Sequence, residues 1–274
     1  MKRLALLPVA LLLAACSVTK LAYDNADTYL RWQANKFFDF EGEAETELDR
    51  RIGAFLAWHR AHALPEYAAL ADEASRRMLR GVKRPDLEWG YDSLRVQIRG
   101  ALGAAAAEMA PMLDRLTPAQ IGQLEERLAE ENRKFARENL QGTVEERSER
   151  RVNRNVKRLE HWFGSLSDEQ IGHVRRYDAR APRSAELRDR DRQRRQREFV
   201  GILRSRKAGQ QLAQWAQDWE GGREPAYARA SLATRDAYFD LLLDLERTLS
   251  TEQRRKAAER MSRYAATFDS LARQ

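Results

Sequence analysis

The sequence has few of the residues on which β-sheets, disulfides and membrane-spanning helices depend. It contains one cysteine, so no disulfide can form within the chain. Strict alternation of apolar and polar residues is nearly absent, which argues against strands. No apolar run reaches the roughly 20 residues that a membrane helix requires. No Gly/Ser-rich or Pro-rich linker marks a domain boundary, so we expect one connected body.

The sequence also lacks the residue patterns of familiar catalytic sites. It has no GxSxG elbow and no Gly-rich phosphate loop, and its carboxylates are distributed as helix caps and surface pairs. His59 and His62 lie one helical turn apart and could join a metal site. His59 also continues the apolar stripe from Leu48 to Phe55, which favours a core position. We therefore expect no enzyme, no cofactor and no metal.

Helical periodicity is the dominant pattern in the chain. Charged residues make up 33% and apolar residues 43%, a balance typical of helical bundles. Apolar residues at intervals of three and four predict core-facing helices, and we expect an all-α, elongated multi-helix bundle. The last stripe forms a seam suited to a partner helix. Its members are Ala257, Met261, Tyr264, Phe268 and Leu271.

The first residues have the pattern of a signal peptide. Lys2 and Arg3 precede an apolar stretch from Leu4 to Leu13, which is too short to cross a bilayer. The site Leu13-Ala14-Ala15-Cys16 resembles the lipobox of bacterial lipoproteins. This resemblance implies cleavage before Cys16, acylation of its thiol, and encounters with the lipoprotein processing and sorting machinery. Two or more acyl chains would make the membrane attachment effectively permanent.

The resemblance also implies a location and a division of the chain. Ser17 is not the aspartate that commonly retains such lipoproteins at the inner membrane, which implies the periplasmic face of a Gram-negative outer membrane. We expect a signal peptide at 1–15, a lipidated tether with an aromatic segment at 16–42, and a helical body at 43–274. Trp32, Phe37 and Phe38 could enter the headgroup region, but the acidic run that follows them favours packing on the body.

Residues within the tether carry a second resemblance. Tyr23-Asp24-Asn25-Ala26-Asp27, followed by Leu30 and Trp32, is similar to the mature N-terminus of a proteobacterial lipoprotein family of unknown function. Thr28 and Tyr29 depart from the tryptophan or leucine expected there. This resemblance implies a family and no activity.

One signature, Leu-Thr/Ser-x-x-Gln, occurs three times. A Thr or Ser at the N-cap and a Gln three residues later predict a capping box at the start of a helix. The sequence also resembles the LTxxQ motif of the periplasmic Spy and CpxP family, which implies a chaperone-like or envelope-stress role. Thr143 and Glu146 predict a fourth box. The three copies are Leu116-Thr117-Pro118-Ala119-Gln120, Leu166-Ser167-Asp168-Glu169-Gln170 and Leu249-Ser250-Thr251-Glu252-Gln253.

Positive charge is concentrated between residues 147 and 207. This run can be a solvated helix face with Arg–Asp pairs, or a patch that attracts acidic polypeptides, anionic lipids or a second copy of the chain. Nucleic acid is not expected, because no base-reading motif accompanies the arginines. The candidate surface comprises Arg188, Arg190, Arg192, Arg194, Arg195 and Arg197.

Two hypotheses about function follow from these patterns. In the first, a non-enzymatic lipoprotein binds protein partners or unfolded clients through a basic, amphipathic helical surface. In the second, a structural or assembly factor docks a specific envelope partner through a helix seam, for which the stripe over 257–271 is a candidate. Exposed aromatics on a basic concave surface favour clients, whereas a flat apolar patch on a covered bundle favours docking.

Overall fold

The computed structural model describes residues 19–274, which are helical without any strand. The predicted all-α, elongated bundle is confirmed, whereas the predicted signal peptide and Cys16 lie outside the described residues. None of the described helices has the length and hydropathy to span a membrane. The α-helices are α1 Ala26–Phe38, α2 Glu43–Trp58, α3 Leu64–Arg80, α4 Arg84–Leu113, α5 Pro118–Asn139, α6 Val144–Phe163, α7 Asp168–Arg180, α8 Ala185–Arg204, α9 Ala208–Gln217, α10 Pro225–Glu246 and α11 Thr251–Ala272.

Four of these helices begin with a reciprocal capping box, in which the N-cap hydroxyl and the side chain three residues later each accept a backbone N–H. They are α5, α6, α7 and α11, whose N-caps are Thr117, Thr143, Ser167 and Ser250. At α5, for example, Gln120 N donates to Thr117 Oγ1 over 3.2 Å, and Thr117 N donates to Gln120 Oε1 over 3.0 Å. Each box stabilises its helix by about 1 kcal/mol.

A π-helical turn, His59–Ala63, joins α2 to α3 without a break. Pro65 has no N–H, and its ring collides with the carbonyl four residues earlier in a regular α-helix. The helix instead forms hydrogen bonds of the π type, in which the Leu64 N–H donates to the carbonyl of His59, five residues back. Residues 43–80 therefore form one long helical rod.

That rod and α4 form an antiparallel hairpin along the length of the molecule. Gly81 adopts φ 89°, a conformation that favours glycine, and turns the chain between them. At the far end, Arg51 Nη1 on α2 donates to the Glu108 carbonyl on α4 over 2.7 Å. With 30 residues, α4 is about 45 Å long.

The first of two apolar cores is built on α2, the end of α4, α5, the end of α8 and α9. The Phe37 and Phe38 side chains on α1 pack against it, as predicted. Trp32 does not pack there, since it is 60% exposed, and the packing prediction is wrong for this residue. The most deeply buried members are Leu48, Met112, Leu124, Leu203 and Ala208.

The second core lies between the end of α3 and helices α6, α7, α10 and α11. Its buried members are Met78, Val152, Leu159, Phe163, Val174, Leu241, Leu245, Ala257 and Ala258. The rod of residues 43–80 has members in both cores, with Leu48, Ile52 and Leu56 in the first and Met78 in the second.

The apolar stripe on α11 packs against α3, and its three middle residues, Met261, Tyr264 and Phe268, are half-buried. Ala257 and Leu271 are fully buried, and Ser75 Oγ on α3 donates to the Ala258 carbonyl over 2.9 Å. The stripe does meet a partner helix, but that helix belongs to the same chain. This seam is therefore not available to an outside partner.

Candidate binding surfaces

Three of the six arginines in the predicted basic surface are held by contacts within the chain. Arg192 lies over the Phe135 ring at 4.4 Å, and Arg194 bonds Asp191 and Glu198 over 2.8 and 2.5 Å. Arg195 covers the Trp215 ring at 4.2 Å and donates to the carbonyl of the same residue over 2.8 Å. Burial lowers the pKa of Arg195. Arg192 and Arg195 thus pack α8 onto α5 and α9, whereas Arg194 is held by carboxylates of its own helix.

The other three arginines are exposed, and they differ in their pairing. Arg188 lies 5.5 Å from the Phe135 ring centroid, and Arg190 lies 3.7 Å from Glu224. Arg197 has no carboxylate within 4.0 Å in the described part of the chain. The predicted surface thus divides into three packed and three exposed arginines, because the arginine run winds around the helix.

A network of ion pairs connects α8 to the middle of α4 through the connection after α9. Glu220 in this connection binds Arg95 and Arg99 on α4, the latter over 3.2 Å. Arg223 bonds Glu220 over 3.1 Å and lies 3.9 Å from Asp191 on α8. The network holds the 218–224 connection and turns both α4 arginines toward it.

Next to these arginines, α4 presents an apolar stripe to solvent. Leu94, Ile98 and Leu102 are 49%, 38% and 41% exposed, and their spacing of four places them on one face. Leu87 and Ala105 continue that face, and Arg95, seven residues before Leu102, lies at its edge and bonds Glu220. Sequence reasoning missed this stripe, although residues 100–107 contain no charge. A helical segment that is apolar on every side is typical of a buried position, yet Leu102 within it is 41% exposed.

The motif glutamines join separate parts of the chain as well as capping their own helices. Gln170 and Gln253 form a reciprocal amide pair with N···O distances of 2.9 and 3.0 Å. Gln170 also donates to the Thr248 carbonyl, and Gln253 to that of Ser165, over 3.0 and 2.9 Å. The second and third copies thus face each other with matching bonds. In the first copy, Gln120 Nε2 donates to the Phe38 carbonyl over 3.2 Å.

The leucines of the motif pack into the two apolar cores. Leu116 is 4% exposed in the first core, whereas Leu166 and Leu249 pack against the second. The repeated signature therefore lies in the framework of the molecule and does not line one common surface. Cys16 and the lipobox residues Leu13, Ala14 and Ala15 lie outside the described residues.

The two neighbouring histidines have separate surroundings. His59 Nδ1 is 3.0 Å from the Tyr23 hydroxyl, and its ring contacts Phe55 and Tyr67. Burial lowers the pKa of His59, and the charge of Arg60 adds to this effect. His62 instead bonds the Trp58 carbonyl over 3.0 Å. Within residues 19–274, no three His, Cys, Asp or Glu side chains are grouped to hold a metal ion.

These features define the class: an all-helical protein with two apolar cores on one long helical hairpin, an exposed apolar stripe and clustered arginines. The chain belongs to a family of unknown function (DUF6279), whose profile matches residues 36–220. The match includes α4, α8 and the first two motif copies, and it begins after Tyr23–Asp27. No curated protein and no solved structure matches the chain.

Proposed function

We propose that this chain is a non-enzymatic lipoprotein, anchored through Cys16 to the periplasmic face of the outer membrane, whose helical body docks a protein partner of the envelope along α4. The acyl chains hold the body at the membrane surface. Exposed arginines on α8 attract acidic partners at long range, and the α4 stripe binds them by short-range apolar contact.

The observation that carries this proposal is the exposed stripe Leu94–Ile98–Leu102. Burying apolar surface contributes about 25 cal/mol per Å², so three large aliphatic side chains on one rigid helix form an effective contact. The stripe is narrow and aliphatic, with Arg95 at its edge, which suits the apolar face of a partner helix. The α4 stripe therefore takes the docking role that the sequence suggested for the α11 stripe, because α3 already packs on α11.

The N-terminal residues support the membrane anchor. Leu21, Tyr29 and Trp32 are all more than half exposed, and the Tyr29 and Trp32 ring centroids are 6.0 Å apart. Leu21 follows Cys16 by five residues, a span of at most about 18 Å. Tyrosine and tryptophan favour the headgroup region, so an acylated Cys16 would bring these rings to a compatible depth.

Photocrosslinking in the native host tests the docking surface. A photoreactive residue at Ile98 of the full-length chain should yield a discrete adduct with one partner. The matched control is Arg133 on α5, which is exposed and has no carboxylate partner in the described residues. Absence of adducts at positions 94, 98 and 102, or the same adducts at position 133, would contradict the proposal.

The anchor is tested by fractionation and mass spectrometry. Cys16→Ser should move the protein from the membrane fraction to the soluble one, whereas Ser17→Ala should leave it on the membrane with acyl chains attached. An unmodified Cys16 thiol on a chain that still carries residues 1–15 would contradict the lipoprotein assignment.

Chaperone-like client binding is the second candidate, supported by the exposed Arg188, Arg190 and Arg197. If it is correct, the detergent-solubilised lipoprotein suppresses aggregation of an unfolded acidic protein, and the suppression weakens with salt. Replacing Arg190 and Arg197 by glutamine should reduce it. No suppression at equimolar protein would remove this candidate and leave docking along α4.

A further inference from the structure

An arginine-lined cavity of about 230 Å³ lies between the end of α5, the start of α6, the α7–α8 connection and the start of α8. Two carboxylates, Asp178 and Glu186, also line it. The arginines come from α6, the connection and α8, so no single run in the sequence marks them. They are Arg147, Arg151, Arg154, Arg183 and Arg188.

Asp178 is the centre of the paired part of this cavity. Its carboxylate is 3% exposed and accepts two bonds from Arg151, over 2.6 and 3.1 Å. Arg183 lies 3.3 Å from it, and the Ser148 hydroxyl donates to it. One negative charge therefore holds two guanidinium groups in a fixed orientation.

The other carboxylate leaves positive charge uncompensated. Glu186 is 55% exposed and lies 3.9 Å from Arg147. Arg154 and Arg188 have no carboxylate within 4.0 Å among residues 19–274. Five positive charges thus share two negative ones around a concave site. Such an arrangement repels itself and attracts an anion.

The start of α8 adds donors at the same place. Ala185, its first residue, lines the cavity, and the N-cap Ser184 makes no side-chain capping bond, unlike the N-caps of α5, α6, α7 and α11. The first backbone N–H groups of a helix carry partial positive charge. They supplement the arginines, which define the site.

We propose that this cavity binds a phosphate group, either free or as the phosphomonoester end of a lipid. The planar guanidinium fork bonds two phosphate oxygens at once, and arginines on different elements can bind one phosphate from several sides. The volume lies below the roughly 300–1,000 Å³ typical of drug-sized ligands, which suits a small anionic group. This role goes beyond partner docking along α4 and does not depend on it.

Isothermal titration calorimetry on the full-length chain in non-ionic detergent tests the site, with inorganic phosphate and short-chain phosphatidic acid as separate probes. Arg154→Gln with Arg188→Gln should weaken binding by at least about tenfold, because each charge-assisted bond contributes strongly. The matched control is Arg133→Gln with Arg229→Gln, which removes the same charge elsewhere on the surface and should retain affinity.

Each outcome decides the proposal. Phosphate binding that is lost only in R154Q/R188Q supports it, and the probe that binds more tightly identifies the free or lipid source. Equal heats from sodium chloride at matched ionic strength, or equal losses in both double variants, would overturn it. The calorimetry does not depend on crosslinking at Ile98. Failure of the phosphate proposal is therefore distinguishable from failure of the docking proposal.

Discussion

At the scale of single residues, the glutamines of the repeated motif link helix capping to tertiary structure. Gln170 is 1% exposed and uses its amide to cap α7, to pair with Gln253 and to bond the Thr248 carbonyl. The cap was predictable, because its partners are three residues apart. The amide pair was not, because its members are 83 residues apart and only folding brings them together.

Gln170→Ala should lower the free energy of unfolding by about 1–3 kcal/mol, since it leaves buried polar groups without partners. The half-buried Gln120, whose amide bonds only one distant carbonyl, offers the matched control, and Gln120→Ala should cost less. Urea unfolding of both single variants, Gln253→Ala and the 170/253 double variant gives the coupling, expected to exceed about 0.5 kcal/mol. Additive effects would show that the amide pair contributes nothing.

His59 should make stability depend on pH. Its pKa is lowered in the folded protein by burial, whereas the unfolded chain takes up the proton near the ordinary value of about 6.5. Between these two pKa values the unfolded state binds more protons, so the free energy of unfolding falls as pH drops through that window. Protonation would also remove Nδ1 as an acceptor for the Tyr23 hydroxyl.

His59→Gln should therefore flatten the stability profile below about pH 6.5, measured by urea unfolding at a series of pH values. His161→Gln is the control, because burial also lowers the pKa of His161 but its side chain is exposed. We expect the control to change the slope less. An unchanged slope in His59→Gln would show that other groups cause the acid sensitivity.

At the scale of helices, α4 and α11 show what periodicity can and cannot determine. Both carry apolar stripes at helical spacing, and both were predictable as helices. The α11 stripe packs against α3, whereas Leu94, Ile98 and Leu102 on α4 are exposed. Periodicity shows which face of a helix is apolar. Which helix covers that face, if any, depends on how the whole chain folds.

A stability comparison tests whether the α4 stripe is free. Leu94→Ala should change the free energy of unfolding by no more than about 0.5 kcal/mol, because this side chain has few contacts to lose. Leu245→Ala, at a fully buried position in the second core, should cost about 2–5 kcal/mol. Equal losses in the two variants would mean that the stripe is packed and cannot serve as a docking face.

At the scale of the whole molecule, the long rod of residues 43–80 couples two apolar cores. Its first half lies in the first core, and Met78 near its end lies in the second. The helix is unbroken between them, because the π turn accommodates the proline ring and the missing N–H of Pro65. Opening one core therefore strains the helix on which the other is built.

The two cores should unfold together. Leu124→Ala in the first core should accelerate hydrogen exchange in α5 and α10 to a similar extent, and Leu245→Ala in the second should do the same. Mass spectrometry of peptides from both helices measures this. If each substitution affected only its own core, the chain would contain two independent folding units.

The sequence by itself determined the helical class, the helix starts at Thr117, Thr143, Ser167 and Ser250, and the prediction of a lipid anchor at Cys16. Each of these depends on residues close together in the chain, where spacing alone sets the chemistry. The tertiary structure decided which arginines of α8 remain exposed, which apolar stripe stays exposed, and how arginines from three segments converge on one cavity. Those outcomes depend on contacts between distant residues, which local spacing does not encode.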